Sequence, residues 1–361
     1  MILRYLIIKG WTVGQICKIQ PYFYRVVVFL SLFFLQLSAD DRGSSLIHSQ
    51  VQVVVEGFPR AHNPSLIRTK EGLLLVFRNI PDKHKPWISQ IGVLFLNEQL
   101  EPISKPALLD TRINGEWVPS QSEDARIFEK NGQLFLMYND NTEITNPGGH
   151  QHRDMHLATV EFIKDCYVIT STQLLYHEDY YAKVNWQKNW VPFAWQDHIL
   201  FSYSINPHEV IYPDEETGKC VKVCMTKAPV EWKRGAIRGG TPALLLDGEY
   251  FAFFHSAQRS YSNVSSDEIV WHYVMGAYTF SAEPPFELTA MTPYPIVVPG
   301  FYEEIDYEKR VIFPGGFVVE DSYIHLAYGK DDKEIWIVTF DKAKLKALLK
   351  PIVQDAPQDS P

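Results

Sequence analysis

The chain has 361 residues, 46% hydrophobic and 14% aromatic, enough for one large core, although length alone also accommodates two domains. Its 34 basic and 43 acidic residues leave a formal charge of −9, and no basic stripe with interleaved aromatics is present. That excludes a binder of phosphate backbones, and no nucleic-acid partner is expected.

The first predicted element is the apolar run Val26-Val27-Val28-Phe29-Leu30-Ser31-Leu32-Phe33-Phe34-Leu35, preceded by Arg25 and followed by Gln36-Leu37-Ser38-Ala39. It is short for a membrane span and suits a signal h-region ending in small residues, so residues 1–39 are expected to be a signal peptide or signal anchor. The protein is then secreted, periplasmic or membrane-anchored, associating with the membrane through this segment; otherwise it is cytoplasmic. Residues 1–39 carry Arg4, Lys9, Lys18 and Arg25 and no acid, so their loss takes the charge from −9 to −13. Asn263-Val264-Ser265 is a glycosylation sequon, meaningful only in a eukaryotic secretory pathway. Cys166, Cys220 and Cys224 make no disulfide framework, and no cysteine or histidine spacing completes a metal site. His150-Gln151-His152 with His156 reads as a polar loop beside Gly148-Gly149, and no metal is expected.

Past residue 45 short apolar or alternating runs follow one another with turn residues between them, an all-β pattern. Strands are predicted over 73–78, 91–96, 134–138, 155–160, 199–205, 250–256, 274–280, 317–320, 323–328 and 334–340. Turns such as Lys130-Asn131-Gly132 and Leu246-Asp247-Gly248 recur at one station, a weak internal repeat of five units. The units open on Asn63-Pro64-Ser65-Leu66-Ile67, on Ser122-Glu123-Asp124-Ala125-Arg126-Ile127, on Lys188-Asn189-Trp190-Val191-Pro192-Phe193, on Gly239-Gly240-Thr241-Pro242-Ala243 and on Phe313-Pro314-Gly315-Gly316-Phe317. The predicted fold is a five-bladed β-propeller over 45–350, whose inner strands bring the five openers to one channel; a β-sandwich would disperse them. A short helix is expected over 341–349, and residues 351–361 as a disordered tail.

The second opener is the chemically suggestive one. Taken alone, Asp124 beside Arg126 is a loop acid paired with an arginine; held rigidly at a blade edge, it is a proton donor for a glycosidic bond.

In order, the five openers resemble those of family 130 of the glycoside hydrolases, five-bladed propellers that include mannoside phosphorylases, β-mannosidases and related β-1,2-mannosyltransferases. The resemblance covers roughly 60–345. It implies Asp124, in the position of the aspartate of Glu-Asp-Pro-Arg, as catalytic acid, with Ala125 in place of the proline. It also implies substrate or phosphate contacts from Asn63, Glu123, Arg126, Lys188, His255, Tyr273 of a Tyr-x-x-Gly run, and Tyr328 and Asp332 of Tyr-Gly-x-x-Asp. Arg238 stands where a small residue is expected; Arg78 and Arg153 are further phosphate candidates. The implied activity is inverting phosphorolysis of a β-mannoside-like bond, or the reverse transfer from a sugar phosphate, with inorganic phosphate or a sugar phosphate as co-substrate and no other cofactor. The alternatives are a hydrolase using Glu143, Asp154 or Glu303 to activate water, a glycosyltransferase building an envelope or storage glycan, and a non-catalytic sugar-binding propeller. The partner in every case is an oligosaccharide or glycan; a homo-oligomer is compatible with the sequence. The tryptophans, among them Trp87, Trp117, Trp186, Trp190 and Trp271, serve either sugar stacking or blade cores.

Overall fold

The computed structural model describes residues 46–112, 119–141, 153–180, 186–230, 232–303 and 307–353. Expectations placed on residues 1–39, Trp117, Glu143, His150, His152 and 354–361 fall outside them. The described residues within 47–296 and 300–353 belong to one compact unit, built of strands with a single short helix. No helix among them is long and apolar enough to cross a membrane.

Strand β1 (Ile47–Val53) comes first and belongs to the last blade. The first blade is β2 (Ala61–Thr69), β3 (Gly72–Asn79), β4 (Gln90–Leu96) and β5 (Ala107–Leu108). The second is β6 (Glu123–Lys130), β7 (Gln133–Asn141), β8 (Arg153–Ile163) and β9 (Cys166–His177). The third is β10 (Val191–Trp195), β11 (His198–Ile205), β12 (His208–Pro213) and β13 (Lys219–Thr226), joined to the second by a short parallel pairing of Lys219 with Tyr176. In the fourth, the inner edge is split into β14 (Ala236–Gly239) and β15 (Leu244–Leu246), followed by β16 (Glu249–Tyr261), β17 (Ile269–Ser281) and β18 (Leu288–Met291). The fifth is β19 (Ile312–Val319), β20 (Tyr323–Lys330) and β21 (Glu334–Asp341), completed by β1, which pairs antiparallel along β21. Helix α1 (Lys342–Ala347) is capped by Asp341, whose carboxylate accepts from the Lys344 amide at 2.9 Å. Residue 351, expected to open a disordered tail, instead sits in β22 (Lys350–Pro351), paired with Ala290 of β18.

The middle strands are covered by a neighbouring blade on each face, which is why they read as unbroken apolar runs rather than alternating ones: Leu73 to Phe77 in β3 and Tyr250 to Phe254 in β16 are all buried. Their contacts form one core per blade junction. Leu75 and Phe77 meet Ile335 and Ile337 between blades one and five, and Leu74 and Val76 meet Leu136 and Tyr138 between one and two. Phe201 and Trp190 meet Met137 and Met155 between two and three, and Phe193 meets Tyr250 and Phe280 between three and four. Phe251 and Phe253 stack edge-on against Phe317 between four and five. Each fully buried side chain of this kind contributes about 1.5–3 kcal/mol. Asn131-Gly132 and Asp247-Gly248 have positive φ at both residues, the primed turn that matches strand twist.

The inner strands approach so closely at the channel that a side chain has no room. A Cβ on Gly315 of β19 would fall 1.9 Å from the carbonyl oxygen of Pro64 in β2. Ladder bulges fall at the matching station in β2 (between His62 and Ser65), β6 (between Glu123 and Arg126) and β19 (between Pro314 and Gly316), re-aiming the opener residues.

Candidate active site

Asn63, Asp124 and Asn189 share one backbone feature, a left-handed conformation with φ of 46°, 52° and 63°. Asn and Asp tolerate it better than other side-chain-bearing residues, and here it turns each side chain out of the regular pleat. The Asn63 amide donates to Asp124 Oδ1 at 2.9 Å. Arg126, 1% exposed, is the pin of the channel. It donates to the Gly240 carbonyl, to the Gly239 and Asp124 carbonyls at 3.1 Å each and to Asn189 Oδ1 at 3.2 Å, tying blades two, three and four. Its guanidinium also lies over the Phe313 ring of blade five at 5.9 Å. Burial lowers its pKa to about 10, still far above neutrality, so a full charge sits beside Asp124.

Glu123, the residue before, is held by three cations. Arg78 Nη2 lies 2.9 Å and Arg153 Nη2 3.1 Å from its Oε1, and Lys188 Nζ lies 2.6 Å from its Oε2. Arg78 Nη1 also reaches Asp124 Oδ1 at 3.4 Å. Burial opposes ionisation of Asp124, but Arg78 and Lys188, the Asn63 hydrogen bond and Arg126 outweigh it and hold its carboxyl well below the usual carboxylate range. Glu123 is likewise low: burial is opposed by Arg78, Lys188 and Arg153. Arg78, Arg126, Arg153 and Lys188 therefore face Glu123 and Asp124, four cations for two carboxylates. Arg238 of β14 adds another charge, lining a cleft of about 390 Å³ with Lys188, Asn189, Tyr203 and Trp186. Trp186 forms its lip, 5.0 Å under Lys188 Nζ.

His255 is buried between Phe313 at 4.8 Å and Tyr273 at 5.9 Å. Burial first, then Arg126 and Arg238, push its pKa down to about 3, so it is neutral at working pH. Asn63 Oδ1, Arg78 Nε and His255 Nδ1 are buried without a hydrogen-bond partner among the described residues. Asp332 sits at the hairpin turn between β20 and β21, φ 54°, where Lys309 Nζ bonds it at 2.5 Å; its charge is felt by Arg78 and His62.

The structure thus gathers Asn63, Arg78, Glu123, Asp124, Arg126, Arg153, Lys188, Arg238 and His255 at one mouth, with Tyr273 and Asp332 on its rim. Tyr328 is placed differently: it is buried against Phe301 at 4.9 Å and its hydroxyl accepts from Gln50 Nε2 of β1 at 2.5 Å, a blade-closing contact. Arg126 differs too, since its donors are taken by protein acceptors. Of the alternative water-activating acids, Asp154 follows Arg153 in β8 and so lies on the other face, buried opposite Asp140. Glu303 accepts from the Gly300 amide at 2.7 Å in a turn. Asn189, inside the third opener, is a site residue that no matched motif position marked. Lys309 lies in no motif and only the fold brings it to Asp332. Trp190 is core.

No curated protein matches the sequence. Solved structures do. A mannose phosphorylase from Leishmania mexicana in complex with phosphate ion shares 13% identity over 85% of this chain and 92% of its own, at a TM-score of 0.52. A structure described with the GH130 mannoside phosphorylases and the glycoside hydrolases among them that target β-1,2 mannosidic linkages in Candida mannan shares 13% over 86% and 96%, at 0.58. A glycosyl hydrolase from Bacteroides ovatus shares 14% over 82% and 86%, at 0.56. At such identities the likeness is one of fold. The family described as beta-1,4-mannooligosaccharide phosphorylase matches residues 47–350, from the closing strand through all five blades. A match that takes in every opener around Asp124 means that this chain belongs to family 130 of the glycoside hydrolases, a family of mannoside phosphorylases and hydrolases.

Proposed function

We propose that the protein is an inverting β-mannoside phosphorylase, with Asp124 as general acid and Arg78, Arg153, Lys188 and Arg238 as the phosphate cradle. A phosphate oxygen attacks the anomeric carbon from the face opposite the leaving group. The bond from that carbon to the glycosidic oxygen breaks, and Asp124 gives the departing oxygen its proton, directly or through a sugar hydroxyl. The products are an α-mannosyl phosphate and a glycan shortened by one residue; the reverse direction transfers mannose from that phosphate to an acceptor.

Three cations, Arg78, Arg153 and Lys188, paired with two carboxylates and with Arg238 lining the adjoining cleft carry this reading: the excess positive charge suits an anionic nucleophile, and arginine forks suit phosphate oxygens. Water activation needs a carboxylate basic enough to take a proton, and Glu123 is committed to three cations while Asp332 is bonded by Lys309. The low Asp124 pKa fits the same scheme. Without an anion nearby Arg78, Lys188, the Asn63 hydrogen bond and Arg126 favour the ionised carboxyl; a phosphate among Arg78, Lys188 and Arg153 would offset part of that field and shift the pKa upward, toward a proton-bearing acid.

The test is incubation with β-linked manno-oligosaccharides with and without phosphate, and with mannose 1-phosphate plus an acceptor. Release should depend on phosphate, synthesis should consume mannose 1-phosphate and liberate phosphate, and Asp124→Asn should lower kcat by about 10²–10⁴. Turnover indifferent to phosphate would make the protein a hydrolase instead.

A further inference from the structure

Strands β16 and β17 run 13 residues each, and the outer half of their hairpin carries a face that continues the wall of the site. Cross-strand partners share a face, so the register puts His255 with Met275, Ala257 with Tyr273, Arg259 with Trp271 and Tyr261 with Ile269 on one side. The inner end of that row is His255 and Tyr273, at the channel. Beyond it the side chains leave the core: Trp271 is 46%, Ile269 51% and Tyr261 64% exposed. Arg259 lies 5.8 Å from the Trp271 ring, braced on one aromatic face.

The hairpin is also anchored. The His272 ring bonds the Tyr261 carbonyl through Nε2 at 2.8 Å and accepts the Arg310 amide at Nδ1 at 3.1 Å. The Asn263 amide reaches the Glu308 carbonyl at 2.9 Å, and Asn263 Nδ2 the Tyr307 carbonyl at 3.1 Å. The sequon asparagine therefore works as a tether between hairpin and blade five. A fixed aromatic row flanked by hydrogen-bonding side chains suits the flat apolar faces and equatorial hydroxyls of a sugar chain, and it begins where a substrate in the channel would emerge.

We propose that Trp271, with Arg259 and Tyr261, forms an outer binding platform for the sugar residues of a longer β-mannan chain whose end lies at Asp124, so that the preferred substrate is an oligosaccharide or polymer rather than a disaccharide. This rests on the mannoside reading above. Successive same-face positions are about 6.8 Å apart along a strand, so Tyr273 to Ile269 spans more than one sugar unit.

The experiment is calorimetric titration of Asp124→Asn protein, with and without Trp271→Ala, using mannobiose and mannotetraose in β-1,4 and β-1,2 series, beside phosphorolysis of the disaccharide by Trp271→Ala protein. The tetrasaccharide should bind about five- to tenfold more tightly than the disaccharide, Trp271→Ala should bring that ratio to about one, and disaccharide binding and turnover should not change. Tyr261→Ala should give a smaller loss in the same direction. A length preference that survives Trp271→Ala, equal binding of both lengths, or a wild-type dimer that Trp271→Ala makes monomeric in light scattering would overturn the platform. Length-dependent binding that needs Trp271 without any phosphorolysis would sink the proposed activity and leave the platform standing; disaccharide phosphorolysis with Trp271-independent binding would do the reverse.

Discussion

Glu123 and Asp124 are adjacent carboxylates in different surroundings, set by what the fold places around each. Glu123 collects Arg78, Arg153 and Lys188 and keeps them close without neutralising all of them. Asp124 is turned by its left-handed backbone toward the Asn63 amide at the mouth. Lys188 is the most accessible of the three cations, its side chain 25% exposed, so its removal should spare the fold. Lys188→Ala should raise the phosphate KM about ten- to a hundredfold, the worth of one charge-assisted hydrogen bond, with Lys188→Arg recovering part of it; initial rates against phosphate concentration measure this. Asp124 and Lys188 were singled out in the sequence because they stand in motifs. The commitment of Arg126 to backbone carbonyls was not, since a carbonyl leaves no mark in a residue string.

At the scale of elements, each inner strand is held to its neighbours by a few buried polar links. Arg126→Met keeps the volume but leaves the Gly239, Gly240 and Asp124 carbonyls short of a donor. It should lower stability by about 3 kcal/mol, seen as a reduced urea midpoint. Asp140 of β7 is a second case. Buried and accepting from Ser122 Oγ and the Asn141 amide, it is pushed by burial up to about 6. A carboxyl with a raised folded pKa is protonated more readily in the native state, so its contribution is full below about pH 4 and lost as pH rises through 6. Burial lowers His156 and His208 to about 4, which works in the opposite sense, stability from them growing as pH rises toward 6.5. Only the difference isolates Asp140: relative to wild type, Asp140→Asn should gain about 1–2 kcal/mol between pH 5 and 7.5 in urea unfolding. The middle strands were readable as apolar runs. The outer strands β5, β9 and β18 carry short or mixed patterns and were not singled out, because an outer strand needs less burial to hold its place.

For the whole molecule, the ring is closed by the pairing of β1 with β21, the first strand of the described unit with the last blade. Val53 is buried there, and Gln50 reaches Tyr328. A chain starting at Glu56 would leave β21 as an open apolar edge. Compared with a chain starting at Asp40, it should aggregate or melt without a cooperative transition, read by size-exclusion chromatography and thermal unfolding.

What the sequence determined by itself was local: strand periodicity, turn chemistry at Asn131-Gly132 and Asp247-Gly248, and five ordered openers that named the family and brought Asp124 forward. These survive in one dimension because backbone conformation and one-face burial constrain residues two or three apart. Tertiary structure alone decided that Glu123 is the hub of the cations, that Tyr328 closes a blade rather than facing the channel, that Lys309 fixes Asp332, and that Trp271 continues the row of Tyr273. Each of these joins residues distant in the chain, where charge, burial and shared face follow from the closing of the ring and leave no spacing to be read.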